Sequence, residues 1–172
     1  LRQLRLEELR GLRGPALRKA LDPSIPAVGV FVDDSLKHIG QLVTAGTIQI
    51  VQLHGCEDDA MIEAVQQTLK VRVIKAFSIA SEADVRQARC SRADYILLDH
   101  GAGGTGDCFD WALLAHIDRP YFLAGGLNPD NAAQAAALQP FALDVSSGIE
   151  TDGVKDKEKM KRFMAQVRAY RR

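Results

Sequence analysis

Cysteine is scarce in this sequence: Cys56, Cys90 and Cys108 lie far apart and form no Cys-x-x-Cys pair. That spacing excludes a disulfide framework and a cysteine zinc site, and it suits a reducing cytosol. A net charge of either sign is also missing, with Lys plus Arg and Asp plus Glu at 22 each. A nucleic-acid or membrane-surface partner leaves an electrostatic footprint that this balance lacks, so neither is expected. The basic runs that do occur, Arg2 to Lys19 and Arg168 to Arg172, read as solvated faces of terminal helices. No apolar stretch approaches the ~20 residues that span a bilayer. No signal peptide is visible, although the first residue is Leu1 and not methionine. The expectation is a cytoplasmic protein whose 172 residues form one domain with a sizeable core.

What is present is an alternation. Short apolar runs rich in Val and Ile occupy Ala27 to Val32, Ile48 to Leu53, Val71 to Phe77, Tyr95 to Leu98, Tyr121 to Ala124 and Phe141 to Ser146. Near-continuous apolar strands of this kind are buried on both faces, as parallel strands under helices are. Helical segments lie between them: Ser35 to Thr44, Glu57 to Leu69, Glu82 to Ala88, Asn128 to Ala137 and Lys155 to Tyr170, with a further one from Leu6 to Leu21 at the front. The strands recur at roughly the length of one βα unit. A βαβα order predicts an α/β fold with a parallel sheet, either doubly wound or closed into a barrel. Periodicity alone does not separate the two.

In both architectures the active site lies at the carboxyl ends of the strands. Polar and glycine-rich clusters fall there: His54-Gly55, Lys75-Ala76-Phe77, Asp99-His100, Ala124-Gly125-Gly126 and Ser146-Ser147-Gly148. The opposite loops are short and plain, which favours an enzyme or ligand-binding barrel over a scaffold. In Gly125-Gly126-Leu127-Asn128-Pro129, glycine lets backbone N–H groups approach an anion, and Asn128 before Pro129 predicts a helix N-cap. A helix N-terminus there suits a phosphate. Ser146, Ser147 and Gly148 on the next unit supply hydroxyls and a second flexible turn, and barrels commonly bind phosphate after their last two strands. Each cluster alone could be an ordinary βα turn. Asp99 closes an apolar run; a carboxyl group partly shielded from water can serve as a general acid, and a helix cap or surface carboxylate is the plain alternative. Gly101 to Gly106 is either a closing loop or a slack one, and without an acidic partner on a following helix it is not a dinucleotide site. His54 reads as structural; Lys75 meets an anion or fills the mouth in a charge network, and Cys56 receives no role.

These pieces occur in a recognisable order. Val51-Gln52-Leu53-His54-Gly55 with Glu57, Lys75-Ala76-Phe77, Leu98-Asp99 with Gly103 to Gly106 and Phe109-Asp110-Trp111, and Leu123 to Leu127 with Pro129 and Asn131 resemble the phosphoribosylanthranilate isomerase family. Asp144 to Glu150 with Gly153, Lys155 and Asp156 is similar to that family's closing signature. The resemblance implies a (β/α)₈ barrel and an Amadori rearrangement of N-(5′-phosphoribosyl)anthranilate to the 1-deoxyribulose 5-phosphate derivative in tryptophan biosynthesis. It implies no metal and no organic cofactor. It places Asp99 as general acid, Gly125, Gly126, Ser146, Ser147 and Gly148 in the phosphate-binding segments, and Asp144 towards the anthranilate. Arg2-Gln3-Leu4 is similar to a stretch in which an arginine meets the anthranilate carboxylate, a pairing that suits a guanidinium. The implied partner is a small phosphorylated substrate, with self-association or fusion to another tryptophan-pathway enzyme as further possibilities.

The family's general base is a cysteine ending the first strand, and no segment of this sequence matches it. Aligned through Arg2, the chain begins after the second strand, giving one barrel domain, 1-172, incomplete at its N-terminus, with six βα units in place of eight. Two rival readings remain: a non-catalytic, degraded phosphate-binding barrel, and a related barrel enzyme such as an indole-glycerol-phosphate synthase, for which Lys75 needs a glutamate partner. The expected outcome of a turnover assay on the chain as written is very little isomerase activity, because the C2′ proton has no base. Robust turnover abolished by Asp99→Asn would mean that a substitute base exists.

Overall fold

The computed structural model describes Arg18, residues 22–100 and residues 110–170. Arg2, the expected front helix apart from Arg18, and the Gly101 to Gly106 loop lie outside the described residues. The described chain is α/β. Six strands follow one another in sequence order in one sheet: β1 (Val28–Phe31), β2 (Ile50–Leu53), β3 (Arg72–Ser78), β4 (Tyr95–Asp99), β5 (Tyr121–Leu123) and β6 (Ala142–Leu143). The contacts group into two compact units, the first running to Lys75 with Arg92–Asp94, the second comprising Ala76–Ser91 and the chain from Tyr95. Strand β3 passes from one to the other.

In the first unit β1 pairs with β2 and β2 with β3, all parallel, with Gln52 opposite both Val30 and Ile74. Helix α1 (Leu36–Thr44) starts where the Ser35 hydroxyl accepts the His38 N–H, and α2 (Asp59–Leu69) where the Asp58 carboxylate accepts the Met61 N–H. Each cap satisfies an N–H that the helix leaves without an internal acceptor. The buried core comprises Phe31, Ile39, Ile48, Val51, Leu53, Ile62, Val65 and Val73. The Asp94 carboxylate ties the amino end of β3 to α2 by accepting from Val73 N (2.8 Å) and Gln66 Nε2 (2.9 Å).

In the second unit β4, β5 and β6 pair in parallel. Helices α3 (Glu82–Cys90), α4 (Ala132–Ala137) and α5 (Lys157–Tyr170) accompany them. Ile96, Leu98, Leu114, Leu123, Leu127 and Phe163 form its core with the apolar faces of α3 and α4. A 3₁₀ helix, Trp111–His116, stands between β4 and β5, where Asp110 accepts the Ala112 N–H. A short antiparallel hairpin, β7 (Glu150–Thr151) with β8 (Val154–Lys155), follows β6.

Burial on both faces holds for β2 and β4 but not throughout. Val28, Val30 and Val32 are 40%, 58% and 65% exposed, and Phe141 just before β6 is 53% exposed. The reason is positional: β1 and β6 are the terminal strands of the described sheet, each with a neighbour on one side only. The last apolar run also yields less strand than expected, Ala142–Leu143, because the chain turns out of the sheet before Ser146. Among the described residues no helix is long and apolar enough to cross a membrane. Leu123 is wholly buried in the second core. Leu123→Ala is expected to lower unfolding stability by about 2–5 kcal/mol, with an unchanged denaturant slope, in urea titrations.

Candidate active site

Asp99 ends β4, half-buried, and β5 runs beside it with Leu98 opposite Leu123. Ala124 donates its N–H to the Leu98 carbonyl at 2.9 Å, so the chain still follows β4 when it reaches Gly125. There φ is +82°, the left-handed region that glycine enters without steric cost. A Cβ on Gly125 would lie 2.6 Å from His100 N and 2.7 Å from Asp99 Oδ1. No L side chain fits. The Asp99 carboxylate accepts the His100 N–H at 2.7 Å, and the Asp99 carbonyl accepts the Ile79 N–H at 2.9 Å. The result is a carboxyl group at a strand's carboxyl end, aimed by the His100 N–H and covered on one side by a bare glycine. The imidazole Nδ1 of the adjoining His100 is buried with no hydrogen-bond partner among the described residues.

The two glycine clusters are brought together. A Cβ on Gly148 would fall 1.8 Å from the Leu127 carbonyl oxygen, so the turn after β6 rests directly on the backbone that follows Gly126. The expected capping at Asn128 is realised in its hydrogen bonds, and its carbonyl also accepts the Ala132 N–H at 3.1 Å. Asn128 Oδ1 accepts from Asp130 N (2.8 Å) and Asn131 N (3.2 Å), and Asn131 Oδ1 accepts from Asn128 N (2.9 Å). The helix proper, α4, begins only at Ala132. These N–H groups, expected to face a phosphate, are therefore engaged by side-chain amides, and the reciprocal Asx bonds outcompete an open N-terminus. Gly126 also contributes its carbonyl, which accepts from Asn128 Nδ2 (3.2 Å) and Asn131 Nδ2 (3.0 Å).

Ser146 and Ser147 are exposed, and Asp144 is exposed with its N–H donated to the Leu123 carbonyl (2.9 Å). Sequence reading missed what holds this loop: Lys155 Nζ donates to Ser146 O (2.9 Å), Ser146 Oγ (3.2 Å) and Glu150 Oε1 (2.6 Å). Lys155 reaches back because Asp152-Gly153 turns the β7–β8 hairpin, with φ of +51° and +73°. An Asp-Gly pair between two extended dipeptides is the usual sign of such a turn, and it stands in the sequence.

In the first unit, Lys75 is buried in the middle of β3, and Glu57 is its partner at 3.2 Å, with side chains 7% and 4% exposed. The glutamate that Lys75 seemed to lack is thus present. The ammonium, however, also donates to Gly55 O (2.7 Å) and Leu53 O (3.4 Å). Glu57 in turn accepts from Asp33 N (2.8 Å) and Gly55 N (2.9 Å). Lys75 therefore sits in a charge network that joins the ends of β1 and β2 to the middle of β3. Glu57 was expected within the helix; these bonds hold it ahead of α2. Burial pushes the Glu57 carboxyl upward, but the Asp33 N–H, its own N–H and the Lys75 ammonium together hold it below the usual carboxylate range. His54, exposed, has Nδ1 3.0 Å from Gln52 Nε2 of the buried Gln52. Cys56 is exposed, its N–H donated to Asp33 Oδ1 at 2.7 Å. Among the described residues no three His, Cys, Asp or Glu side chains group to hold a metal ion.

Because the folded-state pKa of Glu57 is depressed, its contribution to stability is fully present above the ordinary glutamate value of about 4.3. It disappears as pH falls through the lower folded value. Urea titrations between about pH 6 and 3 should show this loss in the parent. Glu57→Gln should flatten that part of the profile, and Lys75→Met should cost about 3–5 kcal/mol near neutral pH by leaving the buried carboxylate short of its counter-ion.

A family model described as N-(5′phosphoribosyl)anthranilate (PRA) isomerase matches residues 15–166. The chain is 43% identical over 148 residues to the N-(5′-phosphoribosyl)anthranilate isomerase of Endomicrobium trichonymphae, covering 83% of this chain and 72% of that protein. It is similar to the crystal structure of phosphoribosyl anthranilate isomerase from Thermus thermophilus, with a TM-score of 0.80 and 34% identity over 91% of this chain and 78% of that one. A phosphoribosyl anthranilate isomerase crystallised in complex with reduced 1-(o-carboxyphenylamino)-1-deoxyribulose 5-phosphate gives a TM-score of 0.77 and 32% identity, covering 91% of this chain and 78% of that one. With most of its length matched, the chain belongs to the N-(5′-phosphoribosyl)anthranilate isomerase family.

Proposed function

We propose that this chain takes part in the Amadori rearrangement of N-(5′-phosphoribosyl)anthranilate, the isomerisation of tryptophan biosynthesis. Asp99 is the general acid: it protonates the furanose ring oxygen, so that the ring opens to a Schiff base. A general base then removes the C2′ proton, and the resulting enolamine tautomerises to the ketone. The observation that carries this reading is the placement of the Asp99 carboxyl at the carboxyl end of β4, aimed by the His100 N–H and faced by Gly125. Proton transfer by a positioned group is worth about 100-fold to 10,000-fold in rate.

The substrate's phosphate is assigned to the turns around Gly126 and Ser146 to Gly148. Support comes from their mutual packing through Gly148 and from the exposed hydroxyls of Ser146 and Ser147. With the Asn128, Asp130 and Asn131 N–H groups already bonded, phosphate recognition falls to the glycine and serine turns. Asp144 is assigned to the anthranilate side, and Arg2 to the anthranilate carboxylate. The fold we propose is a single (β/α)₈ barrel domain, supported by the in-order sheet and by solved relatives of which the chain covers about 78%. The bound molecule is small and phosphorylated; no nucleic acid or membrane is assigned, and self-association is allowed. The setting is cytoplasmic, and the reaction needs no cofactor. The base is the cysteine that the resemblance implies and that no position of this sequence matches.

The test is turnover of phosphoribosylanthranilate by the 172-residue chain, alone and with an added βαβ segment carrying that cysteine. Activity is expected only with the segment and should fall about 100-fold or more in Asp99→Asn. Robust activity of the chain alone would overturn the assignment of the base, and Cys56 is then the first residue to replace. Binding of the reduced product analogue without turnover in either mixture would favour a non-catalytic phosphate-binding barrel.

A further inference from the structure

We infer that Gly125 is a positioning residue for the Asp99 carboxyl, acting through its lack of a side chain, and is not primarily a phosphate contact. The inference rests on the assignment of Asp99 as the acid. Three observations converge on it. A Cβ at Gly125 would come within 2.7 Å of Asp99 Oδ1, the oxygen that accepts the His100 N–H. It would also meet His100 N at 2.6 Å and His100 Cβ at 3.0 Å, so any added atom strikes both halves of the hydrogen bond that aims the carboxylate. The backbone is tied in place there, because Ala124 N–H is bonded to the Leu98 carbonyl one residue earlier. Neighbouring parallel strands thereby hold the acid at one orientation, and a methyl group at position 125 must turn the carboxylate or part the strand ends.

This role separates from phosphate binding by experiment. In the full chain labelled with ¹³C-aspartate, the Asp99 carboxyl resonance, assigned through Asp99→Asn, is followed against pH. Gly125→Ala should move its titration midpoint by about half a pH unit or more. Binding of inorganic phosphate should weaken by less than about threefold. Gly153→Ala provides the control. It places a side chain at an equally left-handed backbone position, φ +73°, with nothing within 4 Å, and should leave the Asp99 midpoint in place. An unmoved Asp99 midpoint in Gly125→Ala, or phosphate binding lost about tenfold or more without it, overturns the inference. Should Gly125→Ala not fold, the parent decides: the Gly125 amide resonance should titrate with the Asp99 midpoint and stop doing so in Asp99→Asn. A Gly125 amide that ignores that midpoint overturns the inference equally. Absence of phosphate binding by the parent counts against the proposed phosphate site alone, since the Asp99 measurements need no phosphate.

Discussion

The ends of β4 and β5 can approach as they do only because position 125 carries no side chain. Parallel strands sit about 4.8 Å apart, and past the last ladder bond their chains usually diverge into separate loops. Here the Ala124–Leu98 bond and the bare Gly125 keep them together one residue further, to the level of Asp99. The same device recurs at Gly148, whose missing Cβ lets the next loop lie on the Leu127 carbonyl. Two absent methyl groups therefore connect Asp99, the turn after β5 and the turn after β6 in a row. Glycine costs conformational entropy on folding, a cost offset by the burial of strand residues such as Leu98 and Leu123 in the same core.

The first unit solves a related problem with charge. The ends of β1 and β2 are tied to β3 by a buried pair, Lys75 and Glu57, which bonds the Leu53 and Gly55 carbonyls and the Asp33 N–H. Taking an ammonium and a carboxylate out of water is costly, and replacing such a pair by apolar residues is often neutral for stability. What the pair provides is direction: the ends of β1 and β2 are fixed to β3 through specific donors and acceptors. The second unit does this with close backbone approach, and the first with a charge that has three acceptors.

Much of this was legible in the sequence. The alternation of apolar runs with helical segments located all six sheet strands, and the polar clusters at their carboxyl ends pointed to Asp99, Gly125 and Gly148 before any geometry was known. What escaped has physical reasons. The Trp111–His116 turn is too short and too apolar to carry a helical period, so it merged with the loop before it. Glu57 was counted as the first residue of a helix because periodicity does not register a side chain bonded back to a neighbouring strand end. The exposure of Val28, Val30 and Val32 follows from which strand lies at the edge of the described sheet, and a local run of valines carries no record of that. The hairpin that returns Lys155 was visible as Asp152-Gly153 but flanked by only two extended residues on each side, below the length at which alternation is recognised.

Asn128 shows why a motif and its chemistry can separate. Gly-Gly-Leu-Asn-Pro contains the elements of an anion site: glycine backbone that an anion can approach, a capping side chain and proline at the first helical position. Yet the side chains of Asn128 and Asn131 bond each other's backbone, and the helix starts later. An amide that already donates to a side-chain oxygen must break that bond to reach a phosphate, and a neutral hydrogen bond exchanged for a charge-assisted one gains only the difference between them. The Asx pair therefore serves best as a brace that fixes where Gly126 and Leu127 run, and Leu127 is where Gly148 rests. The ends of β4, β5 and β6 are thus a matter of backbone position first, set by glycines and braced by side-chain amides, with the Asp99 carboxyl held in the space that they leave.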